Sequence, residues 1–333
     1  MPKRFPIAVF LLLLFLAGCS APKPPAWTLD PTFRYPAEAF LTGVGYSASR
    51  ATAEDHARSE IAKIFQVDIH SQMSSSEAQA QSAVGDLVSS DYSQSVRAEL
   101  VATSNKALSG VRIAEVWPDP RTGEYYALAV LDRLAAARPL RSQLNDLDLT
   151  IAEQVRLAEN ASNPARRLGH YLATLQALEQ RQVVAGDLRV LAPSGWVMEP
   201  PRNAAAIAAL ADEAAGAIRL GVELEGDQGE IVTGSLVRKL TSVGMRMAPV
   251  GERNLTIRGT VRTEKYTTGD PWHWTVASAQ VDLLEGSDLR VMDNLRTTIR
   301  EGSRQSERSD IVAREVLGKK LASLLVERIV ARR

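Results

Sequence analysis

Residues 7–16 of this 333-residue chain, IAVFLLLLFL, form an almost pure apolar run behind Lys3 and Arg4. At about 10 residues the run is half of what a helix needs to cross a bilayer core, roughly 20. A basic start, a short apolar stretch and then small residues, Ala17 and Gly18, make an export signal, not a transmembrane helix. Cys19 follows at once, and it is the one cysteine of the chain. Exported chains normally use cysteines in pairs, so the exported body must fold with no disulfide of its own.

The tetrad Leu16-Ala17-Gly18-Cys19 resembles the lipobox of bacterial lipoproteins. The resemblance implies a diacylglycerol on the Cys19 sulfur, cleavage before Cys19 and an acylated new N-terminus. It makes 1–18 the signal peptide and 19–26 a lipidated tether, stiffened by Pro22, Pro24 and Pro25. Acyl chains, at about 0.8 kcal/mol per buried CH₂, then hold the protein on a membrane. Under the sorting rule of enteric lipoproteins, Ser20 sends it to the cell outer membrane, with the body in the periplasm.

Beyond the signal the chain is long enough for two domains, and its 45% apolar content suffices for ordinary cores. Lys plus Arg equals Asp plus Glu at 39 each, and loss of Lys3 and Arg4 leaves the mature body slightly acidic. No basic excess points to a nucleic-acid partner. Periodicity divides the rest into an α+β domain over 27–133, a helical connector over 134–192 and a second α+β domain over 200–333. The expected architecture is two small, mostly antiparallel sheets packed on helices and joined by that helical middle segment.

In the first domain 39–46 reads as a strand and 49–65 as a helix with Ala53, Ala57, Ile61, Ile64 and Phe65 on its apolar face. Residues 65–73 alternate apolar and polar, which predicts a strand. Residues 74–90 read as a loop or weak helix, and 93–108 fit helix and strand equally. Residues 111–117 and 125–131 form a hairpin about the turn 118–123. In the middle, Asn163-Pro164 breaks two helical stripes. In the second domain the expected order is helix 203–217, strand 218–224, helix 231–243, strands at 245–248, 254–264, 272–284 and 289–300, and a last helix over 309–330. That helix should turn Ile311, Val312, Val316, Leu317, Leu321, Leu324, Leu325 and Ile329 inward.

Few residues point to chemistry. Gly43-Val44-Gly45-Tyr46-Ser47-Ala48 fits the G-x-G-x-x-A of dinucleotide folds, but hairpins follow it where a parallel fold needs repeated βαβ units. A tight strand-to-helix turn accounts for it instead. The four histidines, His56, His70, His170 and His273, stand singly, so no metal site is expected. No nucleophile elbow is present. No cofactor is expected beyond the covalent lipid on Cys19, and the chain reads as non-enzymatic. Trp272 and Trp274, two apart on an expected strand, share a face; they either pack as core or form a patch that stacks on sugars or anchors a protein.

Trp27, the run 40–45 leading into the helix 51–58, the stretch LSGVRIAEVW at 108–117 and YYALAVLDR at 125–133 together resemble the LPP20 family of bacterial lipoproteins. The family has structural and interaction roles and no catalytic residues, so none is carried over. The second domain resembles the small α/β domains of periplasmic accessory lipoproteins in element order only. The expected function is therefore an envelope adaptor or assembly factor acting through protein–protein contacts. The alternative is a protein that binds or processes peptidoglycan or another glycan. Expected partners are the membrane, through the lipid, and envelope proteins.

Overall fold

The structure, a computed structural model, describes residues 23–79, 109–268, 271–286 and 288–331. It is an α+β chain of two compact units. Among the described residues the first holds 23–68, 109–139 and 187–196; the second holds 69–79, 140–186 and 197–331.

In the first unit β1 (Phe40–Ser47), β2 (Arg112–Pro118) and β3 (Tyr125–Asp132) form an antiparallel sheet in the order β1-β3-β2. Helix α1 (Arg50–Gln79) covers one side of it. Ala53, Ala57, Ile61 and Phe65, at every fourth position, are completely buried, while Ile64 falls off that stripe and is 40% exposed. Gly43 and Gly45 sit inside β1, where a Cβ on Gly43 would come within 2.4 Å of the Ala57 carbonyl oxygen. These glycines let helix and strand touch. They do not shape a turn or cradle a phosphate. The other side of the sheet buries Trp27 with Leu128 and Val130, and Tyr35, Phe40, Val44, Ala114, Trp117 and Tyr126 pack around them.

The alternating stretch 65–73 is not a strand. Its backbone continues α1 as far as Gln79. No glycine or proline occurs between Arg50 and Gln79, so nothing in the local sequence stops a helix already nucleated against the sheet. The readings made for 80–108 lie outside the described residues.

Two long helices follow, α2 (Arg133–Asn160) and α3 (Pro164–Leu191). Asn163 starts α3: its side-chain oxygen accepts from the Ala165 and Arg166 backbone N–H groups, with Pro164 as the first helical residue. Residues 133–139 and 187–191 of this pair belong to the first unit and the remainder to the second.

The second unit has a five-stranded sheet in the order β5-β4-β6-β7-β8. Its strands are β4 (Arg219–Glu225), β5 (Arg246–Met247), β6 (Leu255–Thr267), β7 (His273–Glu285) and β8 (Arg290–Ser303). β4 runs parallel to β5 and β6, while β6, β7 and β8 are antiparallel. The helices are α4 (Ala204–Gly216), capped by Asn203, α5 (Ile231–Ser242) and α6 (Ser306–Ala331). One core joins Ile151, Val155, Leu168 and Leu172 of the long helices to Leu220, Ile257, Val281 and Leu295 of the sheet and Leu236, Leu317 and Leu321 of α5 and α6.

The buried stripe of α6 differs from the expected one. Ala313, Arg314, Leu317, Leu321, Ala322, Leu325 and Val326 point inward, and Ile311 is 45% exposed. A close seam selects the small residues: a Cβ on Gly318 would lie 2.6 Å from the Val232 carbonyl of α5. Of the expected stripe Leu317, Leu321 and Leu325 are buried, Val312, Val316 and Leu324 only partly so, and the Ile329 side chain lies outside the described residues.

Candidate functional site

The site grows out of the strand period. Along β7, Thr275, Ala277, Ala279, Val281 and Leu283 are buried on the helix-covered side, where the Thr275 hydroxyl hydrogen-bonds the Ser309 hydroxyl of α6 at 2.9 Å. Trp274, Val276, Ser278, Gln280 and Asp282 therefore take the opposite side. Register carries the assignment sideways. Tyr266, Trp274 and Gly302 form one row across β6, β7 and β8; Arg262, Ser278 and Thr298 another; Arg258, Asp282 and Asn294 a third. Arg258, Arg262, Asn294, Arg296, Thr298 and Arg300 are exposed, so this side of the sheet meets solvent.

At one end of this side lies an aromatic platform. Trp272 and Trp274 are stacked with ring centroids 6.2 Å apart and planes 29° from parallel. The Arg300 guanidinium carbon stands 4.2 Å from the Trp274 ring centre and 5.3 Å from that of Tyr266, in cation–π range of both. Gly302 makes room for the indole: a Cβ there would be 2.8 Å from two Trp274 ring carbons. Trp274 is half-buried, its Nε1 shut from solvent without a hydrogen-bond acceptor, and Trp272 is 39% exposed. At the other end Glu223 accepts from Arg258 at 2.8 Å and Arg253 at 2.6 Å. Those two hydrogen bonds hold its carboxyl below the usual range. Asn294 donates to Asp282 at 2.5 Å.

Such a face can bind. Stacked rings give flat apolar area, arginines give forked donors, and Ser278, Thr298 and Gln280 give neutral hydrogen-bonding groups between them. Elsewhere in the unit, Arg314 is 2% exposed and reaches Asp310 at 3.2 Å, the Thr263 hydroxyl at 3.0 Å and Asp227 at 3.8 Å. Asp227 meanwhile accepts from the Val232 and Thr233 backbone N–H groups, so the cluster fastens α5 and α6 to the sheet. Among the described residues no three His, Cys, Asp or Glu side chains are grouped to hold a metal ion.

Cys19 lies outside the described residues. Trp272 and Trp274 do come together, and Tyr266 and Arg300, which were not among the expected site residues, join them. A signal for Tyr266 was present, since a hairpin centred near residue 270 sets 266 opposite 274. Arg300 had none, because its place depends on the pairing of β7 with β8. The first unit carries a similar row: Tyr46 stacks on Tyr126 at 5.9 Å, and Trp117 lies 5.5 Å from Tyr126 on its other side.

No curated protein matches the chain. Among the solved structures similar to it are three with TM-scores below 0.5. A minor lipoprotein of Acinetobacter baumannii is 12% identical, covers 35% of this chain and 93% of its own, and scores 0.29. A secreted protein of Helicobacter pylori is 11% identical, covers 89% and 100%, and scores 0.41. A DUF330 protein of Xanthomonas campestris is 17% identical, covers 33% and 82%, and scores 0.27. Among the described residues no helix is long and apolar enough to cross a membrane. Residues 25–132 match the LPP20 lipoprotein family. That segment, just under a third of the 333 residues, is similar to the domain of the LPP20 lipoproteins.

Proposed function

We infer that the chain is a non-enzymatic lipoprotein of the cell outer membrane, tethered through lipid on Cys19, whose periplasmic body acts as an adaptor for other envelope proteins. The family match supports the lipoprotein part. The adaptor part rests on one observation, the exposed Trp272–Trp274–Arg300 platform on the solvent side of the second sheet. Tryptophan and arginine are the residue types that dominate protein–protein binding energy when a partner desolvates them. A lipid anchor confines the protein to a thin layer, where modest contacts become effectively intramolecular.

The test is photo-crosslinking in cells from an unnatural residue at Thr298, on the same side of the sheet. The wild type captures a defined envelope protein. The double variant Trp272→Ala/Trp274→Ala loses the capture with an unchanged melting temperature, and Cys19→Ala weakens it. Equal capture by the Cys19→Ala protein removes the argument from proximity. The same stacked indoles favour a second reading, a periplasmic peptidoglycan- or glycan-binding protein. Under it, purified protein co-sediments with peptidoglycan sacculi and the double variant does not.

A further inference from the structure

We propose that the short turn carrying Leu29 and Phe33 seats the body on the lipid surface, both side chains entering the membrane interface beside the anchor. This rests on the reading of Cys19 as the acylated residue. Of the large apolar residues in the described chain, Leu29 at 90% and Phe33 at 82% are the most exposed.

Their exposure is built in. Trp27 is buried in the first unit's core, and Tyr35 packs edge-on against Phe40 at 5.3 Å. Between these two inward aromatics the backbone is closed by Leu29 N–H and Asp30 N–H to the Ala26 carbonyl, at 3.1 and 2.9 Å, and by Tyr35 N–H to the Pro31 carbonyl at 3.2 Å. Asp30 caps the 3-10 turn Pro31–Phe33, its carboxylate accepting from the Thr32 N–H at 2.9 Å. Residues 27 and 35 thus point in, and 29 and 33 are held out on a fixed frame. Two large apolar side chains held in water four residues apart mark a surface that something covers.

The length of chain before them says what covers it. Lys23, the first described residue, is four residues past Cys19. Four extended residues reach at most about 14 Å, and the headgroup layer on each side of a bilayer is about 5–8 Å deep. Pro24 and Pro25 limit how far the tether can fold back. Lys23 therefore lies no more than about 6–9 Å beyond the headgroup layer, and insertion of Leu29 and Phe33 is an intramolecular step that needs little affinity of its own. Its result is a fixed orientation of the first unit against the membrane.

Spin labelling tests this on the full chain. With Cys19 acylated, a cysteine introduced by Leu29→Cys, Phe33→Cys or, as reference, Ser59→Cys is the only free thiol. Ser59 is exposed on α1. Each protein is purified from membranes, placed in vesicles of phosphatidylethanolamine and phosphatidylglycerol, and labelled with a nitroxide. We expect the ratio of oxygen to water-soluble nickel-chelate collisions at 29 and 33 to exceed that at 59 several-fold. Ratios equal to that at 59 on protein whose mass shows acyl chains overturn the proposal and leave the anchor standing. Spectra broadened by a label on a neighbouring copy, without the rise in oxygen collisions, overturn it in favour of a second copy of the chain. If the mass shows an unmodified Cys19, the anchor reading fails; labels at 29 and 33 that still report lipid then sustain the patch without it, and water-like labels sink both.

Discussion

A Cβ at residue 45 would lie 2.3 Å from the Ala57 nitrogen and 2.4 Å from the Ala53 oxygen, both of them helix backbone. Neither can yield as a flexible side chain can, so Gly45→Ala forces the helix away from the strand. Overpacking of this kind costs about 3 kcal/mol, and urea unfolding followed by circular dichroism should show it as a lowered midpoint. Glu285 gives a second residue-scale prediction. Burial works to raise its pKa, but hydrogen bonds from Arg290 and Asn163 and the nearby charge of Arg166 outweigh it and hold the carboxyl below its ordinary 4.5. A depressed folded-state pKa contributes stability that is complete above about 4.5 and is lost as pH falls through the lower folded value. The melting temperature of the wild type should exceed that of Glu285→Gln by a constant margin from neutral pH down to about 4.5, and the margin should shrink below it.

At the scale of elements, Arg314 fastens three pieces of secondary structure: α6, β6 through Thr263, and the start of α5 through Asp227. Its side chain is 2% exposed, that of Asp227 1% and that of Asp310 16%. Arg314→Met keeps the bulk but leaves the buried Asp227 without its cation, while Asp310 keeps Lys265 at 3.5 Å. Removing one partner from a buried ionic cluster costs about 3–5 kcal/mol. The variant should lose that much in a chemical melt, and adding Asp227→Asn should recover part of it by removing the stranded charge. Periodicity predicted α6 itself but not this arginine. A long polar side chain counts as surface until a Thr and an Asp from other elements are seen around it.

At the scale of the whole molecule, two compact units with separate cores imply that unfolding is not a single cooperative step. Calorimetry should resolve two transitions. Gly45→Ala should lower one and leave the other. Leu317→Ala, at a completely buried position of the second core, should lower the other by an amount equivalent to about 2–5 kcal/mol. One merged transition shifted by both variants would disprove independent units.

Most of what was legible in the sequence is local. The Asn163-Pro164 start of α3, the Asn203 cap of α4, the hairpin turn after Pro118 and the strand periods of β6, β7 and β8 follow from dihedral preferences and hydrogen bonds within a few residues. So did the LPP20 likeness, carried by short runs of the first unit. Tertiary structure decided the rest. It paired β4 parallel with β6, kept 65–73 helical, set small residues into the seam of α6, and placed Arg300 over both Tyr266 and Trp274. Periodicity says that a side of an element is buried, but what lies against it depends on residues far along the chain, which the folded topology alone brings together.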